Sequence, residues 1–293
     1  MSLIVSPRVV KLTTRTEVDI KRNLPHQTLR RIGAWVFLDH FGPTKQVDGM
    51  VVAAHPHSGL QTVTWPFAGM VEHRDSTGVV QMLRPGQLNL MTAGSGISHS
   101  EQSQVGTDSL HAAQLWIALP DSVRHMAAEF EHLSDLPVLH LDGGSVATVF
   151  IGTLGRVSSP AKVFTPLVGA ELQIKGSLEL PLDASFEHGI LAVNGNLFVN
   201  GHRLETDQLI YLEPGERAVV TSETGATALL IGGEPFDEKL VMWWNFIGRD
   251  HDEIVAWRES WNAASVEWPA FVDEIGGRIP APELPNVRMR PRL

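Results

Sequence analysis

The chain has no cysteine in 293 residues, which removes disulfides, thiolate metal ligands and a cysteine nucleophile and fits a reducing compartment. It also lacks a surplus of positive charge. Lysine and arginine total 23 against 33 acidic residues, a formal net charge of -10, so phosphate-driven binding to nucleic acid is not expected. Arg288, Arg290 and Arg292 make the C-terminus locally basic, but in a proline-interrupted tail they read as a solvated strap. No apolar run approaches the length of a membrane span. The first thirty residues are interrupted by Arg8, Lys11, Arg15, Glu17, Asp19, Lys21 and Arg22, unlike a signal peptide. The expectation is a soluble, cytoplasmic protein with no membrane partner.

Helical periodicity is scarce as well. Short runs rich in valine, threonine, leucine and isoleucine alternate with glycine and proline: 61–67, 79–83, 88–92, 111–119, 146–151, 190–193 and 229–231. Such spacing predicts many strands joined by tight turns, an all-β sandwich or barrel architecture. A hydrophobic fraction of 43% with 19% charged residues supplies a large core or two domains. One helix is expected near 252–264, where Asp250 caps and Glu253 completes a capping box ahead of Ile254, Val255, Trp257 and Trp261. A weaker helix pattern covers 121–133, with Met126, Phe130 and Leu133 at helical spacing. Trp243 and Trp244 are expected to bury the first helix against a barrel.

Against this background stand two histidine pairs, His55-Pro-His57 and His99-Ser-Glu101. On a strand, residues i and i+2 share a face, so each pair projects to one side and two such strands lining a barrel bring four groups to one point. Three imidazoles and a carboxylate suit one divalent transition metal, and four protein ligands leave an octahedral ion two open positions. A single pair of this kind is commonly only hydrogen-bonded or solvated. The second pair follows a glycine-rich approach, Met91-Thr-Ala-Gly-Ser-Gly-Ile-Ser-His-Ser-Glu101, that permits close backbone passage. Gly94-Ser-Gly96 is not a phosphate loop, since no lysine or helix follows it. His73 and Asp75 either orient a ligand imidazole or form a wet hairpin tip. Trp65, Trp116, Phe37, Met91 and Leu90 either line an aromatic-binding cavity or simply fill a barrel.

A repeat is visible when Phe67-Ala-Gly69 is aligned with Val193-Asn-Gly195, and Leu83-Arg-Pro-Gly86 with Leu212-Glu-Pro-Gly215. By these offsets the second copy has Pro181 and Asp183 for the first histidine pair and Ala228 and Leu230 for the second. A metal-free C-terminal barrel is therefore expected, with His188 and His202 as surface imidazoles.

His55-Pro-His57-Ser-Gly-Leu-Gln-Thr-Val-Thr, the 91–101 segment and Phe37-Leu-Asp-His-Phe-Gly-Pro43 together resemble the signature of pirins, two-domain members of the cupin superfamily. The resemblance reaches the Pro280-Ala-Pro282 strap. It implies an all-β fold of two cupin barrels in tandem with a short C-terminal helix: residues 1–135 a metal-binding barrel, 136–235 a barrel without metal, and 236–293 the helix and strap. It implies a metal held by His55, His57, His99 and Glu101, with iron(II) first and copper, manganese, nickel, cobalt or zinc as alternatives. In several bacterial members the implied activity is a quercetin 2,3-dioxygenase, opening a flavonol with O2 and releasing carbon monoxide, with Glu101 as proton acceptor or as a purely structural ligand. Other members imply a non-enzymatic, redox-sensing regulator or ligand-binding protein. The expected partners are a small aromatic substrate and O2, and the expected state is a monomer. Pirins usually carry glutamate where this chain has Gln61, which would alter charge near the metal unless Gln61 faces away.

Overall fold

The computed structural model describes residues 3–11, 19–44, 50–104, 109–264 and 277–292. In chain order the strands begin with β1 (Leu3–Val5), β2 (Arg8–Lys11), β3 (Asp19–Leu24), β4 (Trp35–Thr44), β5 (Val51–His57), β6 (Leu60–Ala68) and β7 (Val71–Asp75). They continue through β8 (Val80–Leu83), β9 (Leu88–Thr92), β10 (Ile97–Ser103), β11 (Leu110–Ala118), β12 (Glu129–Leu133), β13 (Val138–His140), β14 (Val146–Leu154) and β15 (Val157–Ser158). The rest are β16 (Leu167–Glu179), β17 (Glu187–Gly195), β18 (Leu197–Val199), β19 (His202–Leu204), β20 (Leu209–Leu212), β21 (Val219–Gly233), β22 (Val241–Trp243) and β23 (Phe246–Gly248). Among the described residues a single α-helix follows, α1 (His251–Asn262). None of these elements is a helix long and apolar enough to cross a membrane. The all-β expectation holds.

Two compact units divide the chain. One comprises Met1–Val10, Ile20–His40 and Leu133–Phe236; the other comprises Lys11–Asp19, Phe41–His132 and Asp237–Leu293. In the first, one sheet runs in the order β1-β20-β17-β21-β16-β14-β13. Its core is aliphatic, with Val168, Ala170, Leu172, Ile174, Leu178, Ile190, Val220 and Leu230 all buried. The segment 20–40 is tied into this unit by Trp35 Nε1 donating to the Gly232 carbonyl (3.1 Å) and by His40 Nδ1 against Asp207 Oδ1 (2.6 Å). In the second unit, a sheet β5-β10-β7-β8 accompanies a sheet in which β12, β9, β6 and β11 are neighbours.

The helix forms at the predicted Asp250 cap, but Glu253 bonds the N–H of Arg249 rather than that of Asp250, so the expected capping box is only half made. Asp250 is extended and its side chain accepts from the Glu253 backbone N–H (2.9 Å), while Glu253 turns its own carboxylate to the Arg249 N–H (2.8 Å). Ile254 and Trp261 are buried with Val241 and Phe246, and Trp243, Trp244 and Trp257 pack around them. The strap is held by Trp261 Nε1 donating to the Ile279 carbonyl (2.9 Å), and Arg288 pairs with Asp252.

The weaker helix pattern at 121–133 does not become a helix. Residues 121–126 form turns and 129–133 form β12. The Met126 carbonyl is committed to the Ser95 N–H (3.0 Å), and Phe130 packs on Met91, Ala93 and Ile97. Tertiary contacts therefore override a marginal helical spacing.

The repeat exists, but one of its anchors is misplaced by a turn. Gly69 and Gly195 do correspond: both have φ near +80° (80° and 84°), and a Cβ on either would lie 2.6 Å from the Ser109 carbonyl oxygen or 2.4 Å from that of Gly225. Leu83-Arg-Pro-Gly86, however, matches Leu204-Glu-Thr-Asp207. The strand that follows each, β9 or β20, pairs with β6 or β17, the strand leading to the matched glycine, whereas the 212–215 turn leads into Val219–Ser222, which pairs with β16 and β18. Strand register then sets the true equivalents. His55 faces His99 and His57 faces Ile97, just as Leu178 faces Val220 and the Leu180 N–H bonds the Ala218 carbonyl. The second copy thus has Leu178, Leu180, Val220 and Ser222 at the four positions, rather than Pro181, Asp183, Ala228 and Leu230. All four are buried.

His188 is also not a surface group. It is 1% exposed, seated on Gly232, where a Cβ would come within 2.6 Å of its ring. Burial pushes its imidazole down to about 4, with the Asp183 charge and the Phe186 backbone opposing. His202 is exposed, as expected.

Two outcomes follow. Gly69→Ala and Gly195→Ala each should destabilise by about 1–3 kcal/mol in urea titrations, whereas Gly201→Ala, at φ 79° with open space around it, should cost less. Because unfolded histidine binds its proton near pH 6.5 and folded His188 only near 4, the protein loses stability as pH falls through that window. His188→Leu should flatten this slope by about 2 kcal/mol between pH 7 and pH 5, read from urea midpoints.

Candidate metal centre

Antiparallel pairing of β5 with β10 sets His55 opposite His99, and pairing of β10 with β7 sets Glu101 opposite His73 and His99 opposite Asp75. The β5 register shifts between His99 and Glu101, while the β7 register runs through unbroken. This bulge lets one strand aim its His and Glu at groups on two different neighbours.

The result is two overlapping clusters. The ligand atoms of His55, His57 and His99 lie within 4.8 Å of one another, and so do those of His73, His99 and Glu101. His99 belongs to both because its two nitrogens face different ways: Nε2 is 3.1 Å from His57 Nε2, and Nδ1 is 3.3 Å from His73 Nδ1. The sequence picked out His55, His57, His99 and Glu101. The geometry brings the three histidines together and sets Glu101 beside His99 and His73.

Electrostatics favour ligand-ready imidazoles. Burial pushes His55 down to about 4, the Ala53 backbone opposing and the His73 charge assisting. Burial also holds His57 and His99 well below the ordinary imidazole range, with the neighbouring histidines adding to the effect. All three are therefore neutral at pH 7, as a metal ligand must be. The His55 Nδ1–H donates to the Ala53 carbonyl (2.9 Å), which leaves its Nε2 lone pair free. A His57–His99 nitrogen separation of 3.1 Å matches adjacent ligands around an ion at about 2.1 Å, which sit about 3 Å apart. These residues fit a divalent first-row ion.

Burial raises the Glu101 carboxyl above its usual range, partly offset by the His73 charge and a hydrogen bond from Thr64. The Thr64 hydroxyl lies 3.3 Å from Glu101 Oε1 and 3.0 Å from Gln114 Oε1, and its one proton serves one of them at a time. Of the aromatic candidates, Trp116 meets the site edge-on, 5.1 Å from the His57 ring, while Phe37 lies under the Arg22 guanidinium. Gln61 bonds Thr92 Oγ1 (2.9 Å), on the strand face opposite that of Thr64. The sharp turn at Gly59 (φ 73°) between β5 and β6 breaks the alternation that would have aligned Gln61 with His57. Gly94 serves the close passage expected of it: a Cβ there would lie 2.1 Å from the Met126 carbonyl oxygen.

His73 and Asp75, which the sequence left open between pocket and hairpin tip, are buried at 2% and 1% exposure. His73 Nε2 lies 3.0 Å from Asp75 Oδ2, and Phe130 stacks on the His73 ring at 4.6 Å. Burial raises the Asp75 carboxyl, but hydrogen bonds from His73 and Thr77 outweigh it and hold the group below its ordinary range. Only Arg74 between them is partly exposed, paired with Glu72 (2.7 Å). The available sequence signal was the same i, i+2 spacing that marked the other pairs.

Paired barrel-like β units with a buried histidine and carboxylate cluster in one of them define a two-domain cupin. The pirin family model matches residues 16–117 and the pirin C-terminal cupin domain matches 167–267. The chain is 41% identical over 273 residues to a Pseudomonas aeruginosa protein named "Putative quercetin 2,3-dioxygenase PA1205", covering 92% of this chain and 86% of that one. It is 32% identical over 276 residues to a pirin-like protein of Caulobacter vibrioides, covering 90% and 94%. Among solved structures, a quercetin 2,3-dioxygenase from Acinetobacter baumannii superposes with a TM-score of 0.94 at 42% identity, over 99% of this chain and 97% of that one. This chain belongs to the pirin family.

Proposed function

We propose that the protein is a metal-dependent dioxygenase that opens a flavonol such as quercetin with O2, using His55, His57, His99 and Glu101 as metal ligands. The observation that carries this reading is the convergence of three desolvated, neutral imidazoles beside a carboxylate whose proton affinity burial has raised. Similarity to a solved quercetin 2,3-dioxygenase at 42% identity supports the substrate class. Iron(II) is the first candidate; copper, manganese, nickel, cobalt and zinc accept the same donors.

A metal held by His55, His57, His99 and Glu101 would supply Lewis-acid stabilisation of a flavonolate. The residues do the rest. His55, with its Nδ1–H committed to Ala53, presents Nε2 inward. Glu101 accepts the flavonol hydroxyl proton, a role suited to a carboxylate made more basic by burial. Thr64 stabilises the Glu101 anion by donating to Oε1 and turns to Gln114 once that oxygen is protonated. Trp116 walls one side with an apolar ring edge and keeps water from His57. The ring-opened ester and carbon monoxide then account for every atom of flavonol and O2. In this reading the metal-holding barrel falls within 1–135, the second barrel within 136–235 and the helix and strap within 236–293, with Met1–Val10 and Ile20–His40 contributed to the second barrel's unit, the whole working as a single chain in the cytoplasm.

Oxygen-electrode assays with quercetin, run beside elemental analysis, test the proposal. Iron(II)- or copper(II)-loaded protein should consume oxygen, and His55→Ala or Glu101→Ala protein should lose at least 100-fold of that rate. No turnover with any of the six metals would overturn the enzyme reading and favour a binding or redox-sensing role.

A further inference from the structure

We infer that Asp75, acting through His73, sets which nitrogen of His99 carries the proton, so that His99 presents a bare Nε2 toward His55 and His57. This rests on the reading of His99 as a ligand, and it adds positioning residues to that site.

Donor and acceptor accounting along the chain of contacts carries the inference. Asp75 Oδ1 is occupied by donors: the Thr77 N–H at 2.8 Å and the Thr77 hydroxyl at 2.6 Å. Its Oδ2, 3.0 Å from His73 Nε2, is an acceptor, so His73 Nε2 carries the proton. In neutral imidazole the other nitrogen is then a lone pair. His73 Nδ1 therefore accepts across the 3.3 Å to His99 Nδ1, which must be the protonated nitrogen of that ring. His99 Nε2 is left bare, pointing at His57 Nε2 3.1 Å away. Phe130, stacked on His73 with an interplanar angle of 24°, holds that ring in plane, and burial of both His73 and Asp75 keeps water from substituting for either link.

Asp75→Asn reverses the chain. The Thr77 N–H keeps the amide oxygen on its own side, so the amide NH2 faces His73 Nε2 as a donor. His73 then protonates at Nδ1 and His99 at Nε2, which blocks the inward lone pair. Long-range proton–nitrogen NMR of metal-free, nitrogen-15-histidine-labelled protein at about pH 8.5, where imidazoles are neutral, should show His99 as the Nδ1–H tautomer in the parent chain and as Nε2–H in Asp75→Asn. Cobalt(II) affinity, measured by chelator competition, should fall about 10–100-fold in the variant. An unchanged His99 tautomer in Asp75→Asn overturns the inference, even where cobalt binds the parent. A tautomer that switches while neither protein binds cobalt upholds the relay and removes the metal reading instead. Two cobalt ions per parent chain, one of them lost in His73→Leu, would make His73 a ligand and overturn the relay.

Discussion

Everything proposed for this molecule depends on three imidazoles being kept out of water at a distance where like charges are intolerable. Pairing of β5 with β10 fixes His55 against His99, and a nitrogen separation of 3.1 Å between His57 and His99 leaves no room for solvent to screen a proton on either. Backbone hydrogen bonds between strands thus enforce a neutral, electron-rich cluster. In a protein of net charge -10, such a set of nitrogens beside a carboxylate is chemically suited to a cation.

The polar groups around that cluster are arranged by the same alternation that builds the sheet. Thr64 on β6 stands opposite Gln114 on β11 and reaches both it and Glu101 on β10. Asp75 and His73 on β7 reach His99. Three residues earlier on β6, Gln61 falls on the other side and bonds Thr92. A difference that looks consequential in a linear comparison therefore lies on the strand face away from Thr64 and Glu101, because a single left-handed glycine resets the count of faces.

What the sequence displayed and what it hid divide along the range of the interaction. Strands such as β6, β9 and β11, the Asp250 cap and the two histidine pairs were legible because each is written in residues within a few positions of one another. The identity of the second turn anchor was not, since Leu83-Arg-Pro-Gly and Leu212-Glu-Pro-Gly look alike and only the pairing of the strands that follow shows that the former matches Leu204-Glu-Thr-Asp. Burial of His188, His73 and Asp75 was equally hidden: Gly232 makes the space for one and Phe130 covers another, and both lie far away along the chain. The failed helix at 121–133 belongs here too, its residues claimed by contacts from 91–97.

The exchange of His55, His57, His99 and Glu101 for Leu178, Leu180, Val220 and Ser222 has a further meaning. One half of the molecule closes its interior with two leucines, a valine and a serine at the very places where the other half gathers three imidazoles and a carboxylate. A metal held as proposed would be a keystone for one copy of the architecture alone, and the other copy would serve as an internal reference against which the consequences of losing it can be judged.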